Sequence, residues 1–340
     1  IRRIVGKVRR RRTALYLSRG KSDMDKQKMK TATAILSVVS NTTLVALKLA
    51  IGTIIGSVSV ISEAIHSGVD LVAAVIALVA VRKSCKPEDR EHAYGHGKIE
   101  NIAGTIEAIL IFLAAAWIIY EAAHKLIRPA PMEEVGWGVI VMALSAAVNF
   151  GVSHVLFRVG ERTDSIALKA DGMHLRTDVY TSAGVMLGLL IYWAAGRVLP
   201  GLSLWWIDPV VAILVALMIV KAAWDLTVES ARDLLDARLA PEEENVVTAE
   251  IELLYPEVYG YHHLRSRKSG PYRFYDLHLM VPPEASMKEA HEVSDVLKER
   301  VRHHYSEAWV EIHLEPCDHT CKEHCREHCF HLERARHVDA

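Results

Sequence analysis

Two histidine–aspartate pairs carry the most legible chemistry in this sequence: His66 with Asp70, and His174 with Asp178. The members of each pair stand four positions apart, so on a helix both side chains project from one face. Two such helices set face to face supply two imidazole nitrogens and two carboxylate oxygens, a tetrahedral set that zinc accepts without distortion. Both residue types bind metal only when deprotonated, so protons compete for the same lone pairs. The reference histidine pKa of about 6.5 places that competition near neutral pH. Two imidazoles also shift preference from hard manganese or magnesium toward zinc, while iron, cobalt, nickel and cadmium stay open.

The elements that must position these pairs are apolar. Six stretches of about 20 residues, near 32–53, 57–81, 99–123, 136–157, 167–195 and 205–227, are long enough to cross a hydrocarbon core as helices. The pairs fall in the second and fifth. Ionisable groups at membrane depth cost several kcal/mol unless paired, which marks them as parts of an ion path. Glu63 and Asp171 lie near the same faces off the paired spacing and are candidates for the surroundings of the site. Asn41, Lys48, Glu107 and Asn149 are weaker, each able to satisfy a neighbouring helix. Lys and Arg gather before the first span, between the second and third (Arg82, Lys83, Lys86, Arg90) and between the fourth and fifth (Arg158, Arg162, Lys169). The opposite loops carry chiefly Lys125, Arg128 and Arg197, so both termini are expected in the cytoplasm. Short loops and compact length fit the inner, or plasma, membrane of a cell. The basic run Arg9 to Arg12 is followed by no short apolar core with a small-residue cleavage site, so no cleavable signal is expected. A net charge of −1 over 340 residues gives no bulk attraction to nucleic acid.

The chain thus reads as a polytopic α-helical membrane protein with a small α+β domain after it. The expected divisions are a basic N-terminus over 1–30, a six-helix transmembrane domain over 31–227, a charged linker over 228–240, a soluble domain over 241–316 and a tail over 317–340. In the soluble part a helix follows Pro241, strand-like runs flank Ser269-Gly270-Pro271 as in a hairpin, a helix lies near 286–305, and a strand runs from Ala308 to Leu314. That order is αββαβ. The segment from Cys317 onward looks too polar to extend the core.

Two further groups have metal-type spacing. In the loop after the second span, Asp89, His92 and His96 stand at steps of three and four that can wrap one ion, with Glu91 able to substitute. The tail carries Cys317, Cys321, His324, Cys325, His328, Cys329 and His331. Thiolate and imidazole suit Zn(II) or Cu(I), and four-residue steps align them along a helix, whether to capture metal, to sense it or to buffer it.

Together, His66-x-x-x-Asp70, Tyr94-Gly95-His96-Gly97-Lys98, His174-x-x-x-Asp178, Leu234-Leu235-Asp236 and Leu264-Arg265-Ser266-Arg267 before Ser269-Gly270-Pro271 resemble the cation diffusion facilitator family over about residues 30 to 316. The resemblance implies six spans and a metallochaperone-like (ferredoxin-like) cytoplasmic domain. It also implies a homodimer in membrane lipid that alternates between inward-open and outward-open states, exporting a divalent metal against protons. The paired motif looks like the zinc-favouring subgroup, so Zn2+ is expected both as cargo and as a structural ion. Asp89, His92 and His96 match a loop site of similar bacterial transporters. His262, His278, His291, His313 and Glu315 match a binuclear site at the dimer interface, with Glu315 where an aspartate is common. Lys98 and Asp236 match a hinge charge pair between the two domains. Exporters of iron, cobalt, nickel, cadmium or manganese, and a membrane-anchored metal sensor, are the competing readings. An intramembrane metalloenzyme is disfavoured, since it needs an open coordination position with a base beside it and no HExxH motif is present.

Overall fold

A computed structural model describes residues 2–56, 58–128, 137–198, 206–318 and 326–331. Six long helices come first: α1 (Arg2–Ile55), α2 (Val58–Ser84), α3 (Lys98–Ile127), α4 (Trp137–Thr163), α5 (Ile166–Val198) and α6 (Ile207–Leu234). Among the described residues five of them, α1 to α4 and α6, contain stretches long and apolar enough to span a membrane. The remaining one, α5, carries Lys169, Asp171, His174, Arg176 and Asp178 in its first half. Large apolar side chains stay on the outside: Ile65, Val69 and Val72 on α2, Ile109, Leu113 and Trp117 on α3, and Leu214, Leu217 and Met218 on α6. Such a band is unfavourable in water and suits lipid. α1 runs unbroken from Arg2, so the basic N-terminal stretch and the first apolar stretch share one helix.

The chain divides into two compact units, Gln27–Arg232 and Asp233–Ala340 together with Ile1–Lys26. Small residues let the helices of the first unit approach. Ala108, Ile111 and Ala115 of α3 meet Ile219, Ala223 and Leu226 of α6, with Ile166 and Ala170 of α5 completing the cluster. At one end of the bundle the Glu100 carboxylate is fully buried. Lys30 donates to its Oε1 at 3.1 Å and Ser84 at 2.7 Å, while Ser165 donates to Oε2. One paired charge thereby ties α1, α2, α3 and the start of α5, which is how a buried carboxylate becomes tolerable.

In the second unit the expected αββαβ order is present: α7 (Pro241–Glu252), β1 (Gly260–Ser269), β2 (Tyr272–Val281), α8 (Met287–His304) and β3 (Ala308–Pro316). Pro241 opens α7, and Ser286 and Glu289 form a reciprocal capping box at the start of α8. β1 and β2 are joined through Gly270, at φ +56°, and Pro271, the glycine-first pattern of a tight hairpin. β1 pairs antiparallel with β2, and β2 pairs parallel with β3. Alternation along β2 sends Tyr275, Leu277 and Leu279 into a core with Val247 and Ile251 of α7 and Val293, Leu297 and Val301 of α8. The intervening residues, His278 among them, take the opposite face.

The expectation that residues past Cys317 stay out of this core is corrected. Cys329 pairs with Gly260 as an isolated bridge, Phe330 donates its backbone N–H to Tyr259, and the Phe330 ring enters the core at 8% exposure. One aromatic side chain suffices to dock an otherwise polar segment, because it fills apolar space beside Tyr261.

Candidate metal sites

The four intramembrane donors converge. Ligand atoms of His66, Asp70 and Asp178 lie within 4.8 Å of one another. His174 Nε2 stands 3.1 Å from Asp70 Oδ1, and His66 Nε2 stands 4.0 Å from Asp178 Oδ1. The site is lopsided: the Asp70 and His174 side chains are 4% and 8% exposed, those of Asp178 and His66 20% and 55%. One half is thus sealed within the bundle and the other open. Two residues weakly marked in the sequence adjoin it. Asn149 of α4 donates to Asp178 Oδ2 at 3.4 Å, and the buried Glu107 of α3 places Oε2 3.8 Å from His174 Nδ1. A hydrogen bond behind a ligand, as Asn149 makes to Asp178, fixes its orientation, whereas Glu107 sets a carboxylate beside His174 without a hydrogen bond to it. Their only trace in the sequence is a polar residue at membrane depth, which does not reveal the facing helix. Asp171 is fully buried on α5, and Lys48 of α1 donates to Ser67 of α2 at 2.7 Å. Asn41 is buried on α1; the Glu63 side chain lies outside the described residues.

The loop group Asp89, His92 and His96 also gathers its ligand atoms within 4.8 Å. Backbone amides of Glu91 and His92 donate to Asp89 Oδ1 at 2.9 and 2.7 Å, closing a tight turn around the carboxylate. The His92 amide is the main reason the Asp89 carboxyl is held below the usual range. Gly95, at φ +77°, turns the chain so that His96 comes back toward Asp89. His96 Nδ1 faces the carbonyls of Lys86 and Pro87, at 3.3 and 3.1 Å, leaving Nε2 3.3 Å from Asp89 Oδ2. A ring whose far nitrogen donates to a carbonyl presents the other as a lone-pair donor.

On the open face of the sheet, strand register builds the third group. His262 of β1 is opposite His278 of β2, which is opposite His313 of β3, so three imidazoles form one rung. Glu315 lies two residues beyond His313 and therefore on the same face. Its carboxylate meets His262 Nε2 at 3.0 Å through Oε2 and His278 Nδ1 at 2.8 Å through Oε1, with His313 Nε2 3.6 Å from Oε1. Burial pushes the Glu315 carboxyl up, but hydrogen bonds from His278 and His262 outweigh it and hold the group below its ordinary value. Burial likewise pushes the His262 imidazole below its ordinary value despite the carboxylate beside it. His291 stands apart within one chain, on α8 with Asp295 Oδ2 4.0 Å away. A residue absent from the sequence reading, His263, lies in the group: its ring centroid is 4.7 Å from that of His262 and 5.1 Å from that of His278.

In the tail, Cys321, His324 and Cys325 lie outside the described residues. Cys317 is buried against Met280, and Cys329 is 3% exposed. His328 stacks on Tyr261 and His331 on Tyr259, with centroids 4.5 and 4.4 Å apart. These four tail donors therefore take part in packing. The two hinge candidates lie one in each unit. Lys98 begins α3, and Asp236 follows α6 with φ +54° and accepts from Arg267 at 3.4 Å.

Comparison with known proteins places this geometry in context. Residues 34–235 match the family profile described as cation efflux transmembrane domain, and residues 239–317 that described as cation efflux protein, cytoplasmic domain. An uncharacterised transporter of Synechocystis sp. is 31% identical over 286 residues, covering 84% of this chain and 90% of the relative. The cation-efflux pump FieF of Shewanella oneidensis is 31% identical over 280 residues, covering 82% of this chain and 92% of the relative. Its namesake in Escherichia coli is 31% identical over 262 residues, covering 77% and 84%.

Proposed function

Because the chain belongs to the cation efflux family, we propose that it exports zinc from the cytoplasm in exchange for protons. His66, Asp70, His174 and Asp178 bind the ion in transit. The observation that carries this reading is the 3.1 Å approach of His174 Nε2 to Asp70 Oδ1 inside the four-donor cluster. A proton bridging these two atoms uses the lone pairs that a metal ion needs, so loading the ion expels protons and protonation expels the ion. The two-imidazole donor set favours zinc over manganese or magnesium; iron, cobalt, nickel and cadmium are the nearest competitors. The transporter works as a homodimer in the inner membrane with both termini cytoplasmic, alternating between inward-open and outward-open states about the Lys98 and Asp236 hinge.

The loop group and the rung of histidines on the cytoplasmic sheet hold resident zinc that stabilises the dimer. There the chain's own residues bind and orient: Glu315 reaches across β2 to two imidazoles, and His96 is held by the Lys86 and Pro87 carbonyls. Of the tail donors, Cys321, His324 and Cys325 capture cytoplasmic metal.

The test is reconstitution of the full chain in vesicles with a pH-sensitive dye inside. Zinc flux is expected to move protons the opposite way and to disappear in Asp70→Ala, while the purified variant remains dimeric. Saturable zinc binding with no flux in the unsubstituted protein would replace the exporter with a membrane-anchored sensor. Flux of another metal in preference to zinc would correct the cargo alone.

A further inference from the structure

A regular strand would send the residue after His262 to the core face, because successive side chains alternate. Here the ladder is interrupted. His262 is opposite His278 and Arg265 is opposite Asp276, so His263 and Leu264 together face the single residue Leu277. Two residues against one is a β-bulge, which re-aims a side chain and bends the strand. His263 stands in it at φ +54°. That left-handed conformation is a glycine position by preference and costs other residues about 1–2 kcal/mol. The result is that His262 and His263, neighbours in sequence, share a face. The His263 ring is exposed, with its centroid 4.7 Å from the His262 ring and 5.1 Å from the His278 ring.

We propose that His263 is a metal ligand of the cytoplasmic site. It rests on the reading of that site given above and adds a donor to it. The set on one protomer then becomes four imidazoles and one bridging carboxylate: His262, His263, His278, His313 and Glu315. A single tetrahedral zinc uses four ligands, so this set exceeds the need of one ion. Glu315 Oε2 lies beside His262 and Oε1 between His278 and His313, so the carboxylate adjoins all three imidazoles of the rung. His263 adjoins both His262 and His278. The backbone strain has its explanation here: a glycine would make the bulge at lower cost and would deliver no ligand.

The experiment uses the full chain in detergent, with Asp70→Ala, Asp178→Ala, His92→Ala and His96→Ala removing the transport and loop sites, and Cys321→Ser, His324→Ala and Cys325→Ser removing the tail donors proposed to capture metal. Zinc itself is the probe, titrated against a competing chelator, with X-ray absorption counting coordinated imidazoles. His263→Gly is the informative variant because it relieves the positive φ and keeps the bulge. The expected result is zinc affinity at least tenfold weaker and fewer imidazoles per zinc, with the metal-free melting temperature unchanged or raised. His263→Asp, which restores a donor, should recover most of the affinity. Unchanged affinity and imidazole count in His263→Gly, with binding lost in His262→Ala, would overturn the ligand role and leave the site standing. Unchanged binding in both His263→Gly and His262→Ala would overturn the site itself.

Discussion

Glu315 spans from His262 on β1 to His278 on β2, a reach that the extra methylene over aspartate provides. Its hydrogen bonds to these imidazoles favour the ionised form, and they outweigh the burial that opposes it. A carboxyl whose folded pKa is depressed contributes stability above its unfolded value, about 4.3, and loses that contribution as pH falls through the folded value. Glu315→Gln removes the charge and keeps the volume. In chelator-treated protein, the melting temperatures of wild type and variant should therefore differ near pH 6 and converge below about pH 4. A gap that persists at pH 3 would mean that packing, and not charge, distinguishes the two.

Elements decide which of these contacts exist, and they differ in how visible they were beforehand. The αββαβ order was legible because β2 alternates from Tyr275 to Leu279 and because Gly270-Pro271 marks a turn. The His66/Asp70 and His174/Asp178 spacing likewise identified faces of α2 and α5. What α3 and α4 add through Glu107 and Asn149 was not legible, since helix-to-helix facing is a tertiary property. The bulge at His263 gave no signal either, because no glycine marks it. Phe330 was hidden in a run of charged, histidine and cysteine residues whose composition argues against a core. Its docking yields a sharp prediction, because a Cβ added to Gly260 would sit 2.4 Å from the His328 carbonyl oxygen. Gly260→Ala should release the tail end and strand the space filled by Phe330, lowering stability by about 2–4 kcal/mol. Hydrogen exchange at residues 326–331 should rise in parallel, and unchanged protection there would refute the coupling. In the bundle, Glu100→Ala leaves Lys30 buried without the carboxylate that its 3.1 Å contact satisfies. A broken buried pair costs about 3–5 kcal/mol. Denaturation in detergent should show that loss, with Glu100→Gln, which retains acceptor and volume, falling between.

For the molecule as a whole, metal has two different relations to the protein. In the proposed export cycle the donors in the bundle release their ion at every turn, and one half of that site is open, with the His66 side chain 55% exposed. The donors on the sheet are held by strand register, which leaves them assembled before an ion arrives. Binding to a prearranged site adds to the stability of the unit that carries it, by about 2.7 kcal/mol at a free concentration a hundred times the dissociation constant. The chain has two compact units, so calorimetry of the full protein should resolve a zinc-sensitive transition belonging to the cytoplasmic unit. Zinc should raise that transition by several degrees in wild type and equally in Asp178→Ala, whose sheet is intact. In His262→Ala the shift should shrink to that of the tail donors in the same unit. Were Asp178→Ala to abolish the shift instead, zinc would act on stability through the bundle, and the sheet would hold a site subordinate to the transport path.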